Sequence, residues 1–370
     1  MSDDVLRDAR LDQPAPVRPG EELDESALRA YLRMRALCTE DALHVSQFPR
    51  GFSNLTYLVT AGDRSWILRR PPVGVGQGVA HDVVREARVL AALGSVYQRV
   101  PRIVDICEDP AVIGAPFYLM ERAIGIILRD RLPPGLSLAA PDMRRVSEGV
   151  VDTLVEIHTV DYRAAGLGEL GQPQGYARRQ VDGWTRRYQA ARTGAQPDIE
   201  AIAHWLASSV PDASGAALLH NDFKYDNVVL DANDPARVVA ILDWEMATIG
   251  DPLMDLGTTL AYWVEADDPP ALQSLGLGVT AVPGNLTREE VLARYAAATG
   301  RAVSTPVFYY AYGLFKVAVI AQQIHARYVR GLSQDPRFAH LDRAVSALGQ
   351  AGVRAITRGR VGGSDGARHG

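Results

Sequence analysis

The stretch HNDFKYDNVVLD, from His220 to Asp231, followed by VVAILDWE ending at Glu245, decides how the rest of the chain is read. Its apolar segments, Asn227 to Leu230 and Val238 to Leu242, are rich in Val and Ile and separated by the turn residues DANDPA, which predicts a short hairpin. Such a hairpin presents Asn227 and Asp243 at one mouth, with Asp222 just ahead of its first strand. Taken singly, an Asp or Asn beside a turn does no more than hydrogen-bond its own backbone. Together the three offer two carboxylates and an amide oxygen. Hard oxygen ligands of that kind suit magnesium, which keeps several waters and takes phosphate oxygens as further ligands. An ionised carboxylate beside an alcohol orients it and accepts its proton late. Phosphoryl transfer needs this combination, because charge spreads over the moving oxygens and the protein supplies positioning and electrostatics. Asp222 is the expected catalytic carboxylate, and Asn227 and Asp243 the expected Mg2+ ligands. His220 is expected to hold the loop by hydrogen bonds, since Asp222 serves better as a base. Lys224 either reaches the transferring phosphoryl group as a point charge or is simply solvated.

Composition permits this and removes competitors. The chain has 370 residues, more than the roughly 100 to 200 of one ordinary domain, so one large bilobal unit or two domains is expected. Hydrophobic residues make up 47% and charged ones 22%, the balance of a soluble globule. A net charge of -5 and a pI near 5.9, with no basic stripe interleaved with aromatics, argue against a nucleic-acid partner. Cys38 and Cys107 are too few for a disulfide framework and read as small apolar residues in a reducing compartment. The opening MSDDVLRDARLD is acidic where a signal peptide is basic and then apolar, and no apolar run approaches the ~18 residues that span a bilayer. A cytoplasmic protein with no membrane partner is expected, and the oligomeric state is left open.

Residues 1–20 are polar and Pro-rich and 358–370 Gly- and Arg-rich, so both are expected to be mobile tails. Between them, 21–122 is expected to form a small nucleotide-binding lobe and 123–357 a larger lobe with the catalytic loop and acceptor site. Helical spacing predicts a helix over 25–37 behind the N-cap Asp24. Strands are predicted over 43–48, 56–60 and 65–69, a helix over 82–93, and strands near Ile103 and over 116–120. From Met143 onward the pattern is mostly helical, with His158 inside a predicted helix over 146–160. Gly74, Gly76 and Gly78 do not have the G-x-G-x-x-G spacing, and no βαβ unit surrounds them, so a dinucleotide loop is rejected.

HNDFKYDN sets His220, Asp222 and Asn227 in the order and near-spacing of the kinase loop H-R-D-x-x-x-x-N. With ILDWE and GDPLMDLG, Gly250 to Gly257, it resembles the aminoglycoside phosphotransferase and choline kinase-like superfamily, relatives of the protein kinases. Within that group the chain is most similar to phosphotransferase domains fused to, or encoded beside, acyl-CoA dehydrogenases. The resemblance runs from about Gln47 to the helices near residue 330. It implies an α+β, bilobal protein kinase-like fold, with a small antiparallel β-sheet lobe and a larger, mainly helical lobe. It also implies ATP or GTP as donor and a small-molecule hydroxyl as acceptor, with a hydroxyacyl-CoA as one candidate.

The resemblance extends to further residues. Gly51, Ser53 and Asn54 match a G-x-S-N loop that brings backbone N–H groups against phosphates, although a plain tight turn has the same composition. Arginine stands where kinases carry the phosphate-contacting lysine of strand WILRR, and strand register decides whether Arg69 or Arg70 faces the cleft, with Arg69 preferred. Glu86 is the partner implied for that cation, against the alternative of a surface glutamate among Arg85 and Arg88. Backbone groups at Glu121, Arg122 and Ala123 are implied to meet adenine. Asp251 and Asp255 are expected to be architectural, Asp255 by supporting the backbone of the His220 to Asp222 loop.

The acceptor is expected in the helical lobe. Tyr309, Tyr310, Tyr312 and Lys316 either line its cleft or belong to the core. Glu265, Asp267 and Asp268 form either an acidic acceptor pocket or a solvated loop. Two other readings stay open at this point: an aminoglycoside-type antibiotic kinase, and an inactive pseudokinase scaffold that binds nucleotide.

Overall fold

The computed structural model describes residues 11–39, 42–49, 54–72 and 82–362. Helix α1 (Glu25–Met34) begins where the side chain of Asp24 accepts a hydrogen bond from the Ala27 N–H at 2.9 Å. The strands β1 (His44–Gln47), β2 (Leu55–Ala61), β3 (Arg64–Arg70), β4 (Ile103–Cys107) and β5 (Phe117–Met120) follow, with α2 (Val83–Leu93) between β3 and β4. Among the described residues they form a five-stranded antiparallel sheet in the order β1-β2-β3-β5-β4.

Side-chain alternation along these strands divides the small lobe. Tyr57, Val59, Trp66, Leu68, Phe117 and Leu119 join Leu28 and Leu32 of α1 on one face. Leu58, Ile67, Tyr118 and Met120 join Val83, Ala87 and Leu90 of α2 on the other, which is continuous with the large lobe. Because the strand period is two, Arg69 lies on the face of Ile67 and Arg70 on the face of Leu68. Arg70 accordingly donates to the Ile113 carbonyl at 2.9 Å, away from the cleft.

The larger part is mainly helical: α3 (Ala140–Thr159), α4 (Tyr176–Ala191), α5 (Pro197–Ser208), α6 (Pro252–Tyr262), α7 (Pro270–Gln273), α8 (Arg288–Thr299), α9 (Pro306–Val329) and α10 (Leu341–Arg358). Two small antiparallel ribbons interrupt the helices, β6 (Ala217–Leu219) with β9 (Thr248–Gly250), and β7 (Val228–Leu230) with β8 (Val238–Ile241). The second is the hairpin expected from the sequence. The α+β, kinase-like bilobal expectation is therefore met. No helix among the described residues is long and apolar enough to cross a membrane.

The spine of the large lobe is α9, which packs against α10, α6, α4 and α5. Its approach to α6 depends on two glycines. A Cβ at Gly257 would stand 2.1 Å from the Tyr309 carbonyl oxygen, and one at Gly313 would stand 2.0 Å from the Gly257 carbonyl oxygen. Backbone against backbone leaves no flexible atom to yield. The close crossing brings the end of α6, with Tyr262, and the middle of α9, with Lys316, to the floor of one cleft.

Three expectations need correction. Residues 11–20 do not hang free: Ala15 exchanges backbone hydrogen bonds with Gln47 at 2.7 and 2.8 Å, and Asp12 pairs with Arg129 at 2.9 Å. Arg358 ends α10, and the Val361 carbonyl accepts from Arg288 at 2.7 Å, while 363–370 lie outside the described residues. Glu265 and Asp268 form neither an acceptor pocket nor a solvated loop. Both are buried on the Arg288 guanidinium at 2.7 Å, and that guanidinium stacks over the Tyr310 ring. Two carboxylates share one guanidinium there, and the N–H groups of Glu265 and Arg288 supply the further donors, at 2.8 Å to Asp268 and 2.6 Å to Glu265. Asp267 is exposed.

Replacing Gly313 by valine should force α6 and α9 apart. A loss of roughly 1 to 3 kcal/mol, typical of overpacking, is expected in urea unfolding, and an unchanged midpoint would show that the crossing tolerates the extra atoms.

Candidate active site

Asp222 follows Asn221, which adopts a left-handed backbone with φ 65, and Asp243 has φ 67. Asn and Asp tolerate this region better than most residues, and such conformations persist only where neighbours over-determine them. Around Asn221 they do. Its N–H donates to Asp255 Oδ1 at 2.8 Å and the N–H of His220 donates to Asp255 Oδ2 at 2.7 Å. The Asn221 Nδ2 donates to the Met246 carbonyl at 3.1 Å, and Tyr176 donates its hydroxyl to Asn221 Oδ1 at 3.3 Å. His220 is fully buried, and its Nε2 donates to the Leu242 carbonyl at 2.9 Å. Burial holds the imidazole below its usual pKa, so it is neutral, with Nδ1 free to accept from the Asp222 N–H at 3.3 Å. Its role is structural geometry, as the residue types suggested.

The Asp222 carboxylate is held by three donors: Tyr262 Oη at 2.8 Å, Lys224 Nζ at 2.8 Å and Asn227 Nδ2 at 3.0 Å. Asn227 Nδ2 also donates to the Asp222 carbonyl at 2.8 Å. Lys224 is not simply solvated: its ammonium lies 4.6 Å from the centre of the Tyr262 ring. Burial works against that charge, but Asp222 outweighs it and holds the lysine above its usual range. The Leu242 N–H donates to the Asn227 carbonyl at 2.8 Å, and this ribbon contact sets Asp243 beside Asn227.

Arg69 reaches across from the small lobe. It meets Asp243 at 2.6 Å, Glu86 at 3.3 Å and Glu245 at 3.7 Å. Burial opposes the charge on Asp243, yet Arg69 overcomes it and keeps the carboxyl below its usual range. Glu86 is buried to 1% and is farther from the same guanidinium, so burial prevails there and its pKa is pushed up to about 7. Glu86 is thus no surface residue. It also accepts from the Trp244 N–H at 3.1 Å. Arg85 donates to the carbonyls of Glu245 and Ala247, at 3.1 and 2.6 Å.

Arg69, Arg85, Asn221, Asp222, Lys224, Asn227, Asp243, Glu245 and Tyr262 line one cleft of about 1220 Å³ between the lobes, with Glu86 buried behind Arg69. Phe48, Ile67, Met120, Ala123, Ile127 and Leu242 make an apolar end, suited to a purine. Gly51 and Ser53 lie outside the described residues. Asn54 is buried and donates to Glu245 at 2.8 Å. Glu121, Arg122 and Ala123 all border the cleft, but not equivalently. The Glu121 N–H is committed to the Arg102 carbonyl at 2.9 Å and its carboxylate pairs with Arg102. Arg122 donates to the Asp12 carbonyl at 2.8 Å and lies over the Phe48 ring. Of the residues raised for the acceptor, Lys316 lines the cleft, whereas Tyr309, Tyr310 and Tyr312 are core.

The donor set fits the implied ligands. An amide oxygen and a carboxylate at one mouth suit Mg2+, which needs few protein ligands when phosphates and water complete its shell. The described residues contain no cluster of three or more His, Cys, Asp or Glu that would cage a metal. Buried at the same place, Arg69 Nε and Asn54 Oδ1 have no hydrogen-bond partner among the described residues. Sequence reading missed Tyr262, Glu245, Trp184 and Arg187. Tyr262 and Trp184 sit on helices whose cleft-facing side depends on packing, and only the position of Glu245 directly after the ILDW run gave a signal.

A β-sheet lobe and a helical lobe enclosing an Asp–Asn–Asp constellation define the kinase-like class of enzymes. The chain belongs to the phosphotransferase enzyme family, whose profile matches residues 44–310. A chain from Ralstonia eutropha assigned to the aminoglycoside phosphotransferases superposes with a TM-score of 0.76 at 28% identity, covering 91% of this chain and 99% of that one. Choline kinase from Cryptosporidium parvum, at 11% identity, covers 91% and 97% with a TM-score of 0.60, a likeness of fold alone. Mouse acyl-CoA dehydrogenase family member 10 is 35% identical over 320 residues, which is 85% of this chain and 30% of the relative. The chain spans less than half the length of the curated relatives it matches.

Removing the shared cation should expose the charge balance. An Arg69→Met substitution leaves buried carboxylates unpaired, and a loss of about 3 to 5 kcal/mol is expected at neutral pH by urea unfolding, with Arg69→Lys recovering part of it. Because Glu86 titrates in the fold above its ordinary 4.5, its contribution is complete below that pH and is lost as pH rises through about 7. Without Arg69 the folded value moves higher still. The deficit of Arg69→Met should therefore shrink as the pH is lowered toward 5, and a pH-independent deficit would contradict the assigned pairing.

Proposed function

We propose that this chain transfers the terminal phosphoryl group of ATP or GTP to a hydroxyl of a small molecule. The observation that carries the reading is the convergence of Asp222, Asn227, Asp243 and Arg69, the last backed by Glu86, on one interlobe cleft. Asp222 orients the acceptor hydroxyl and takes its proton as the new O–P bond forms, held in place by Tyr262, Lys224 and Asn227. Lys224 and Arg69 supply fixed positive charge toward the phosphates, and the apolar end holds the base, with the Ala123 backbone as the hinge donor. Magnesium, when held by Asn227 and Asp243, supplies neutralisation of the developing phosphate charge. Arginine in place of the usual lysine keeps a permanent charge and a bidentate grip, so the substitution does not by itself argue for an inactive scaffold.

We assign the acceptor to the side of the cleft that α4, α6 and α9 line with Tyr176, Gln180, Trp184, Arg187, Tyr262, Lys316 and Gln323. That lining carries aromatic, amide and basic side chains. It favours an acceptor bearing negative charge over a polycationic aminoglycoside, and Glu265 and Asp268 are spent on Arg288. The likeness to relatives named acyl-CoA dehydrogenases points the same way, toward a hydroxyacyl-CoA.

The test is a screen of alcohol-bearing metabolites, with hydroxyacyl-CoAs and aminoglycosides included, for acceptor-dependent ADP release. Asp222→Asn and Asp243→Ala should each lower turnover by roughly 10² to 10⁴, and chelation of divalent cations should abolish it. Turnover unchanged in both variants would refute the assignment.

A further inference from the structure

Helix α9 carries one lysine, and it is buried to 1% in the wall of the cleft. An ammonium there has lost its water and needs fixed partners to replace it. Lys316 Nζ donates to the Asn221 carbonyl at 2.5 Å, with the Trp184 ring centre 5.8 Å away. That carbonyl belongs to the peptide unit joining Asn221 to Asp222. The other end of the same unit, the Asp222 N–H, is held by His220 Nδ1 at 3.3 Å. The plane that determines where the Asp222 side chain leaves the backbone is thus gripped at both ends, in a segment whose left-handed conformation does not hold itself.

We propose that Lys316 is a positioning residue for phosphoryl transfer: by gripping the Asn221 carbonyl it fixes the peptide plane that aims Asp222 at the incoming nucleophile. This rests on the phosphotransferase reading of the cleft. Ammonium to carbonyl is a charge-assisted bond, and the neutral amine holds the oxygen less firmly. The groups facing Lys316 are Asp255 from α6, Asp222 and Lys224 from the catalytic loop, and Arg187 from α4. Burial outweighs the two carboxylates and pushes its pKa down to about 8. The grip is therefore present at neutral pH and fades in the mildly alkaline range, where Lys224, held higher by Asp222, keeps its charge.

The experiment follows Mg2+-dependent ATP hydrolysis, with water standing in for the acceptor, from neutral to strongly alkaline pH in the wild type, Lys316→Met, Lys316→Arg, Asp222→Asn and Asp243→Ala. For the wild type, kcat should fall as pH passes about 8 while KM for ATP stays constant. Lys316→Met should lose roughly 100-fold in kcat at neutral pH, the scale of a small misplacement, with KM for ATP unchanged and no alkaline limb. Lys316→Arg should keep part of the rate and move the limb upward. A Lys316→Met kcat equal to wild type at neutral pH overturns the proposal, and so does a loss in Lys316→Met that appears in KM for ATP and leaves kcat intact. Hydrolysis lost in Asp222→Asn but untouched in Lys316→Met removes the Lys316 role alone. Hydrolysis unaffected by both Asp222→Asn and Asp243→Ala removes the phosphotransferase reading as well.

Discussion

A carboxylate with no exposure to solvent, Asp255, persists only because protein donors replace its water. Those donors are the backbone N–H groups of His220 and Asn221 and the Nε2 of His158. Burial alone would drive a proton onto the carboxyl, but His158 outweighs it and holds the group below its usual range. Because two of the three donors are main chain of the catalytic loop, satisfying the charge and shaping the loop are one event. The same constraint reaches outward: His158 Nδ1 meets the Tyr295 hydroxyl at 2.7 Å, which ties α3 and α8 to the site.

The small lobe takes its bearing from the segment 243–247. Alternation along β3 sends Arg69 to Asp243, while α2 delivers Glu86 to the Trp244 N–H and Arg85 to the carbonyls of Glu245 and Ala247. Asn54 adds a bond to the Glu245 side chain. Arg69, Asp243 and Glu245 thus line the cleft and also join the two lobes.

Much of this was readable from the chain alone. The small-lobe strands follow from period-two alternation and the hairpin of Asn227 and Asp243 from its turn residues, whereas a carboxylate among apolar neighbours showed only that Asp255 needs donors, and the family resemblance supplied the loop as their source. What stayed hidden depends on partners distant in sequence. Nothing near Glu265 and Asp268 announces Arg288, so two acids that look solvated are interior. Tyr309, Tyr310 and Tyr312 share a helix with Lys316, yet the crossing at Gly257 and Gly313 decides which face meets the cleft. Tyr262 could not be assigned for the same reason, since a helix end acquires a target only when its neighbour docks.

The strip formed by residues 11–20 touches two surfaces at once. Through Ala15 it covers part of the outer border of β1, and through Asp12 it fastens to Arg122 and Arg129 beside the cleft. Bared strand borders are templates on which other chains can add. One short strip thus shields a sheet margin and restrains two arginines that border the binding chamber, so its removal would deprive both of cover together.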